Sequence, residues 1–270
     1  MIVALVSRKG GVGKTTTAVS LASVLAGQGR RVLLVDLDSQ CSASFSLGVG
    51  RRELAPSSAD LVLRGASAPA LIRSTRVTNL DLITSSVDLM AADVELVRRT
   101  GFSLRLRDAL DAVRERYDFI FLDCAPSLSV VPQSALVAAD AFLVPVVPQF
   151  LAVEGVQNLL DAVERLAFRA GGHAPEPLGL VMTMVDYRNR ATRENVDLVR
   201  RTFGSLVFAV EIRVNVRLAE APGAGQPIVD YDPGSTGARA YGLLAEELLS
   251  RVAYPSAQGH AAPAALVSGA

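Results

Sequence analysis

The chain has 270 residues, half of them hydrophobic, which is enough for one sizeable core. Its 27 basic residues balance 27 acidic ones, so overall charge does not direct it to nucleic acid, and any such binding needs a local patch. Two cysteines and two histidines lack metal-like spacing, which excludes a metal site built from them and favours reduced thiols in a cytosolic compartment. No apolar run approaches the roughly 18 residues of a membrane helix, and the apolar N-terminus is too short for a signal peptide.

A strand, a glycine-rich loop and a helix are predicted at the start of the chain. The strand is the apolar run MIVALV, and the helix extends from about Lys14 to Gln28, with apolar residues at helical spacing and Gly29 after it. A second apolar strand, RRVLLVDLD, carries Asp36 and Asp38 at its C-terminal end. The chain is thus predicted to begin as a strand–loop–helix–strand unit.

Strands and helices are predicted to alternate through the rest of the chain, after a loop-rich region over residues 39–60. The strands are NLDLIT, YDFIFLD, AFLVPVV, LGLVMTMV and LVFAVEI, and the helices cover 88–99, 103–116, a short helix opening at Pro132, 151–170, 191–203 and 235–252. Strands that are apolar on both faces and alternate with helices indicate an α/β fold, a parallel, doubly wound sheet with helices on both faces. One domain over residues 1–252 is expected, followed by a disordered Ala-, Pro-, Gly- and Ser-rich tail, 253–270.

The stretch VSRKGGVGKTTTAVSL has most features of a phosphate-binding loop, with one irregularity. The usual pattern is G-x-x-x-x-G-K followed by Ser or Thr, which Gly13, Lys14 and Thr15 satisfy. Arg8 stands where the first glycine belongs, and an extra lysine, Lys9, comes next. The pattern indicates either a damaged nucleotide site or a different kind of nucleotide site.

The residues around this irregularity suit the phosphates of a nucleotide. A helix N-terminus presents unpaired N–H groups and a partial positive charge, and a glycine-rich turn lets those groups reach a phosphate. Lys14 would lie along the β- and γ-phosphates, and Thr15 would place its hydroxyl on Mg²⁺. A glycine-rich turn without a ligand is the structural alternative. The backbone donors are predicted at Gly10, Gly11, Val12 and Gly13.

Three aspartates follow or end predicted strands. Asp36 and Asp38 end the second strand, and Asp123 ends FIFLD in the manner of a Walker B acid. At the carboxyl edge of a sheet, beside a phosphate site, such a carboxylate can hold Mg²⁺ or orient a water. One such aspartate alone could equally cap a helix, but three in one topology favour the nucleotide site.

Lys9 and Lys14 are the protein's only lysines, and the other 25 basic residues are arginine. An arginine-favouring coding bias explains the rest of the chain. An ammonium is a compact point charge that fits between phosphate oxygens, whereas a guanidinium is a wide planar fork. The retention of lysine at these two positions therefore indicates a lysine-specific task for Lys9 as well as for Lys14.

The segment KGGVGKTTTAVSLASVLAGQGRRVLLVDLDSQ resembles the ParA/MinD family of deviant Walker A ATPases, and most closely its ParA (Soj) chromosome- and plasmid-partition branch. The resemblance runs to about residue 252 and includes YDFIFLDCAPSL, ALVAADAFLVPVVPQFLAVEG and VRLAEAPGAGQPIVDYDPGSTGARAY. It implies an ATPase that uses ATP and Mg²⁺, in which Lys9 reaches across a dimer interface to the partner's nucleotide. On that basis the loop looks incomplete in one chain because a second chain completes it.

The same resemblance implies further roles. Asp38 would position the attacking water, Asp123 would act through the metal's coordination shell, and Thr16 would touch the α-phosphate. The adenine would lie near IRVNV, which includes Arg213 and Asn215. The predicted catalytic residues are Lys9, Lys14, Asp38 and Asp123, and the predicted metal-site residues are Thr15 and Asp123.

Two departures from the family pattern raise questions. The family's Ile-Pro-Arg-Asn has lost its proline and its arginine, because Arg213 and Val214 stand at those places. In several relatives that arginine belongs to a DNA-binding surface, and Arg213 or Arg217 could replace it. The loop after the second strand also carries Cys41, which is predicted to be either a reactive thiol or a plain small residue.

The favoured hypothesis is a dimerising ATPase that binds DNA non-specifically in its ATP state and drives chromosome or plasmid partition with a ParB-like partner, in the cytoplasm on the nucleoid. Non-specific binding needs only a patch that faces phosphates, and Arg188, Arg213 and Arg217 are predicted to belong to it. An ordinary solvated face is the alternative. Because the loop's strand starts at Ile2, no N-terminal helix-turn-helix region and no specific operator binding are expected.

The sequence also bears on three other functions. A MinD-like membrane ATPase needs a terminal amphipathic helix with cations, whereas the tail has two prolines and no Lys or Arg after Arg251, so no membrane partner is expected. A metal-cluster carrier needs interface cysteines, which Cys41 and Cys124 do not supply. A relative that positions another cargo by the same mechanism is barely distinguished from a partition ATPase by the sequence.

Overall fold

The computed structural model describes residues 1–96, 102–169 and 175–253. The predicted tail from residue 254 onward lies outside the described residues. So do residues 97–99 and 170, at the ends of two predicted helices.

The described strands form one sheet. They are β1 (Ile2–Leu5), β2 (Val32–Leu37), β3 (Arg73–Ser74), β4 (Leu80–Ile83), β5 (Phe119–Cys124), β6 (Ala141–Val146), β7 (Glu176–Val185) and β8 (Val207–Arg213). Their order across the sheet is β3-β4-β2-β5-β1-β6-β7-β8, and every pair is parallel except β3–β4. The predicted parallel α/β sheet is confirmed, and the two-residue edge strand β3 was too short to leave a pattern in the sequence.

The described helices cover both faces of this sheet. They are α1 (Lys14–Gly27), α2 (Ser42–Ser46), α3 (Ser58–Arg64), α4 (Ala92–Leu96), α5 (Phe102–Asp111), α6 (Val130–Ala138), α7 (Ala152–Arg169), α8 (Arg190–Phe203), α9 (Val216–Glu220), α10 (Ile228–Tyr231) and α11 (Thr236–Ala253). In the described ranges, none combines the length and the apolar character that crossing a membrane requires.

Several predicted boundaries were wrong. The region predicted to be loop-rich, 39–60, contains α2, a 3-10 turn at Arg51–Glu53 and the start of α3. The helix predicted over 88–99 begins as a 3-10 turn, and the helix predicted over 103–116 ends at Asp111 before a second 3-10 turn. Helix α6 begins two residues before Pro132, which is tolerated because the first turn's N–H groups have no intrahelical partner in any case. The short helices α9 and α10 were not predicted.

The core has two layers, one on each face of the sheet. Strand β1 shows the division, because Ile2 and Ala4 belong to the core layer that includes residues of α3 to α8, whereas Val3 and Leu5 belong to the layer that includes α1 and α11. Alternating side chains that are all buried are expected of a central parallel strand covered on both faces. The loops that leave the carboxyl ends of the strands are therefore free to form a ligand site, as in other open α/β sheets.

Candidate active site

The loop between β1 and α1 presents backbone donors without a competing cap. Gly13 is the N-cap of α1 with φ 83°, no side chain caps this end, and the first turn has no acidic residue. Gly11 also has a positive φ, 70°. Glycine adopts this left-handed conformation without the steric cost that other residues incur. The amide-rich turn is thus shaped for an anion, and the phosphate-binding role of Gly10 to Gly13 stays a prediction.

Neighbouring strands hold this loop in place. The hydroxyl of Thr183, buried in β7, donates a hydrogen bond of 2.8 Å to the carbonyl of Val12. The Ser7 hydroxyl donates to the carbonyl of Lys9 and accepts from its N–H, both at 3.2 Å. No sequence pattern pointed to Thr183, because it follows the loop by more than 160 residues and reaches it only through the sheet.

Lys14 is a buried cation with spare hydrogen-bonding capacity. Its side chain is 6% exposed, and its ammonium donates a long hydrogen bond of 3.5 Å to the carbonyl of Lys9. Burial lowers the pKa of Lys14, and the nearby Asp123 carboxylate opposes that change. Because an ammonium has three donors, Lys14 is suited to bind an anionic ligand at this turn.

Asp123 is a buried carboxylate at the centre of the sheet. It pairs in register with Leu5 of β1 and with Asp36 of β2. Neither of its oxygens has a hydrogen bond of good geometry in the described part of the chain. Burial raises its pKa and the Asp36 carboxylate adds to the effect, whereas the neighbouring Thr15 hydroxyl and Lys14 ammonium oppose it.

A buried carboxylate without partners is costly, and such groups normally pair with a cation or coordinate a metal. Mg²⁺ prefers oxygen ligands and is often held by one or two protein groups together with substrate phosphates. Asp123 and the Thr15 hydroxyl, next to the anion-binding turn, fit that requirement. The predicted metal-site pair is therefore chemically suitable for Mg²⁺.

Asp36 and Asp38 have separate environments although they are two residues apart. Asp36 is fully buried and accepts hydrogen bonds from the Ser44 hydroxyl at 2.7 Å and the Ser44 N–H at 2.9 Å, which hold α2 against the sheet. Asp38 lies beyond the end of β2, half-buried, and accepts from the N–H of Gln40 at 2.9 Å. Asp38 is thus the aspartate of this pair that borders the open edge, whereas Asp36 has a structural role.

Lys9 has a partner within its own chain. Its exposed ammonium donates a hydrogen bond to the side-chain carbonyl of Gln149, in the segment between β6 and α7. Because β6 and β5 flank β1 on opposite sides, this contact lies across β1 from Asp123. No sequence signal identified Gln149. A cavity of about 280 Å³ adjoins this contact, and Phe150, 87% exposed, is part of its lining.

The predicted base-binding residues lie at the end of β8. Asn215 caps α9 by accepting from the N–H of Arg217 at 2.8 Å, and its amide donates to the Thr236 hydroxyl at 2.7 Å. Arg213 lies with its guanidinium carbon 5.2 Å from the centre of the Tyr187 ring. Strand β8 is three strands from β1, roughly 14 Å at ordinary strand spacing, so these residues lie beside the phosphate-binding turn and not within it.

Cys41 is a small buried residue at the start of α2. It has φ 56° just before α2 and is 2% exposed. Burial raises its pKa to about 11, and the Asp36 carboxylate adds to the effect. Because the thiolate is the reactive form, burial and the raised pKa favour the plain small residue over the reactive thiol.

This site defines the class of protein. A glycine turn at a helix N-terminus, a buried lysine, a hydroxyl and a buried strand-end carboxylate meet at the carboxyl edge of a parallel sheet. These are the elements with which P-loop nucleotide hydrolases bind a phosphate chain and its metal.

Comparison with known proteins gives the family. A family model described as an AAA domain matches residues 1–171. The sporulation initiation inhibitor protein Soj of Bacillus subtilis is 40% identical over 250 residues, which is 92% of this chain and 97% of that protein. The chromosome partitioning protein ParA of Caulobacter vibrioides is 40% identical over 254 residues, 93% and 94% of the two chains. The chain belongs to the ParA/Soj family of partition ATPases.

A solved structure shows the same architecture. The cobyrinic acid a,c-diamide synthase of Mycobacterium smegmatis with bound ADP and magnesium has a TM-score of 0.79 and is 30% identical, covering 94% of this chain and 96% of that one. The predicted ParA-type family and fold are therefore confirmed.

Proposed function

We propose that this chain hydrolyses ATP with Mg²⁺, dimerises in its ATP-bound state, binds DNA non-specifically in that state and acts with a ParB-like partner in chromosome or plasmid partition. The observation that carries the proposal is the exposed Lys9 beside a phosphate-binding turn that already has Lys14. Partition relatives that match nearly the whole chain support it.

Within one protomer, the nucleotide would be held by groups at the β1–α1 turn. The amides of Gly10 to Gly13 and the Lys14 ammonium would bind the phosphates, and Thr16 would contact the α-phosphate. Thr15 and Asp123 would hold Mg²⁺, which neutralises charge on the phosphates when bound. Arg213 and Asn215 would border the base.

Asp38 would orient the attacking water. It lies at the open edge, and its negative charge is felt by both Lys14 and Asp123. Phosphoryl transfer depends mainly on positioning and charge stabilisation. A carboxylate that holds a water in line with the terminal phosphate would supply the first of these.

Lys9 of the partner protomer would supply the charge stabilisation. Its hydrogen bond to Gln149 is exposed, so water can replace it at little cost. A cation delivered in trans can accelerate phosphoryl transfer by orders of magnitude. Dimerisation would then control hydrolysis, because neither site is complete alone.

The DNA and protein partners follow from the same proposal. A chain with no net charge can bind DNA through a local patch, for which Arg188, Arg213 and Arg217 are the candidates. Pairing of two chains doubles such a patch and raises avidity without new contacts. The ATP-bound dimer would then associate with the nucleoid.

Substitution of Lys9 tests the proposal. Lys9→Ala should reduce hydrolysis by about 10³-fold or more while ATP binding through Lys14 remains. Lys9→Arg should also fail, because a planar guanidinium does not replace a point charge between phosphate oxygens. Light scattering should show wild-type dimers with ATP and monomers with ADP.

Arg8→Ala is the matched control, because it removes the adjacent exposed cation and should leave hydrolysis within a few-fold of wild type. Normal turnover by Lys9→Ala would contradict a role for Lys9 in trans. A wild-type protein that remains monomeric with ATP would contradict the dimer itself.

A further inference from the structure

The arginine cluster that was predicted to face DNA is largely paired with carboxylates. It comprises Arg188, Arg190, Arg193, Arg200, Arg201, Arg213 and Arg217. Four of these form ion pairs: Arg188 with Asp186, Arg190 with Glu194, Arg200 with Glu211, and Arg217 with both Glu220 and Asp232. The cluster therefore presents less free positive charge than its sequence implies.

Arg188 and Asp186 form an exposed ion pair with two hydrogen bonds at the predicted DNA-contacting stretch. Arg188 donates from Nε to Oδ1 at 2.8 Å and from Nη2 to Oδ2 at 2.7 Å. The Arg188 side chain is 85% exposed and the Asp186 side chain 33%. These hydrogen bonds lower the pKa of Asp186 to about 2, so its carboxylate is charged under all ordinary conditions.

The neighbouring cations differ in their freedom. Arg217 lies 2.8 Å from a Glu220 oxygen and 3.3 Å from an Asp232 oxygen. Arg213 stacks on Tyr187 and has no carboxylate partner in the described residues. Arg213 can thus bind a phosphate directly. Arg188 and Arg217 must each first release a carboxylate partner of this chain.

We propose that Asp186 occupies the guanidinium of Arg188 in place of a DNA phosphate and thereby limits the DNA affinity of this surface. A carboxylate and a phosphate both accept two parallel hydrogen bonds from an arginine fork. Binding to DNA then requires displacement of Asp186, which is feasible because an exposed ion pair is weak and is screened by salt. The inference rests on the proposed DNA binding and assigns a regulator of its strength.

Asp186→Asn removes the competing charge and keeps the local turn. The Arg188 N–H donates to Asp186 Oδ1 at 3.1 Å, and an asparagine carbonyl can accept the same bond. With Arg188 released, the ATP-bound protein should bind random duplex DNA about five-fold more tightly near 0.1 M salt. The slope of log affinity against log salt should become steeper by about one unit, as expected for one additional phosphate contact.

Two controls separate this mechanism from a general charge effect. Asp197→Asn removes the same charge from α8, where Asp197 is exposed and has no ion-pair partner in the described ranges, and should change affinity much less. In an Arg188→Ala background, Asp186→Asn should lose its advantage, because the two residues act as one unit. Circular dichroism and melting temperature confirm that each variant is folded.

The outcomes are distinct. Wild-type DNA binding with no gain from Asp186→Asn would overturn this inference alone. An equal gain from Asp197→Asn, or a gain that persists in the Arg188→Ala background, would also overturn it. If neither wild type nor Asp186→Asn binds DNA with ATP at low salt, the proposed DNA binding itself fails.

Discussion

At the scale of single residues, position decides which aspartate can act in chemistry. Asp36 and Asp123 lie in register on adjacent strands, and burial raises the pKa of both. Asp36 is satisfied by Ser44, whereas neither oxygen of Asp123 has a good hydrogen bond in the described chain. Asp38 lies one residue past the end of β2 and faces the open edge. The three carboxylates are therefore suited to three different tasks.

We expect Asp38→Ala to bind ATP but to hydrolyse it at least about 10²-fold more slowly, because the attacking water would no longer be oriented. The phosphate-binding amides, Lys14 and Thr15 are unaffected, so the ATP-bound dimer should accumulate. Single-turnover hydrolysis and light scattering measure the two effects.

Asp36→Ala provides a comparison for this variant, because it removes the acceptor of the Ser44 N–H and hydroxyl and should lower the melting temperature instead. Loss of ATP binding in Asp38→Ala would show that Asp38 holds the metal or the loop, and not the water.

At the scale of elements, the catalytic turn depends on a strand that is distant in sequence. The turn follows β1, yet the carbonyl of Val12 is held by Thr183 of β7, two strands away. Thr183 is 2% exposed, so no water can replace its hydroxyl easily. The position of the backbone donors is thus set partly by the β7 side of the sheet.

Thr183→Val tests this link with a change that keeps shape and removes the donor. The unpaired Val12 carbonyl should cost about 1–3 kcal/mol and lower the melting temperature by several degrees. ATP affinity should fall by about five-fold or more, because the turn is less well ordered before binding. Isothermal titration with a non-hydrolysable ATP analogue gives the affinity.

Thr202→Val is the matched control, because its hydroxyl bonds the Leu198 carbonyl on α8, far from the turn. A lower melting temperature with unchanged ATP affinity in Thr183→Val would assign Thr183 a purely structural role.

At the scale of the whole molecule, the phosphate-binding helix and the far edge of the sheet share one support. Helix α11 packs beside α1, where the buried hydroxyls of Thr17 and Tyr241 are 3.1 Å apart. Arg251 of α11 also donates to the carbonyl of Val207 at 3.0 Å and pairs with Glu247. Helix α11 thus connects the nucleotide side of the sheet to β8, which ends at Arg213 of the candidate DNA surface.

Val214→Arg should strengthen DNA binding. Val214 is 54% exposed, and its N–H donates to the Val185 carbonyl at 3.2 Å, so the backbone position is defined. An arginine there would add a cation beside Arg213 where most other cations are already paired. We expect affinity for random DNA to rise several-fold and the salt slope to steepen by about one unit.

Val87→Arg adds the same charge at a position that is 65% exposed, in the turn after β4, near the opposite end of the sheet from β8. An equal gain from both variants would mean that net charge governs DNA binding, and not a surface at the end of β8. Filter binding at several salt concentrations distinguishes the two.

The sequence by itself determined the alternation of strands and helices and the glycine-rich turn before α1, and it predicted Thr15 and Asp123 as metal-site residues. These features depend on local periodicity or on contiguous residues, because backbone conformation at a strand–turn–helix junction follows from nearby side chains. Local patterns failed for α2, where a serine-rich five-residue helix has little stability of its own. Its hydrogen bonds to Asp36 supply what the local sequence lacks.

Only the tertiary structure decided which groups meet at the edge of the sheet. Gln149 beside Lys9 and Thr183 beside Val12 leave no periodic signal. Each of these two contacts joins segments that are far apart in the chain and that only the sheet brings together. Parallel strands bring their carboxyl ends together at one edge of the sheet, whatever their separation in sequence. The site is therefore a property of the strand order, which no short stretch of sequence contains.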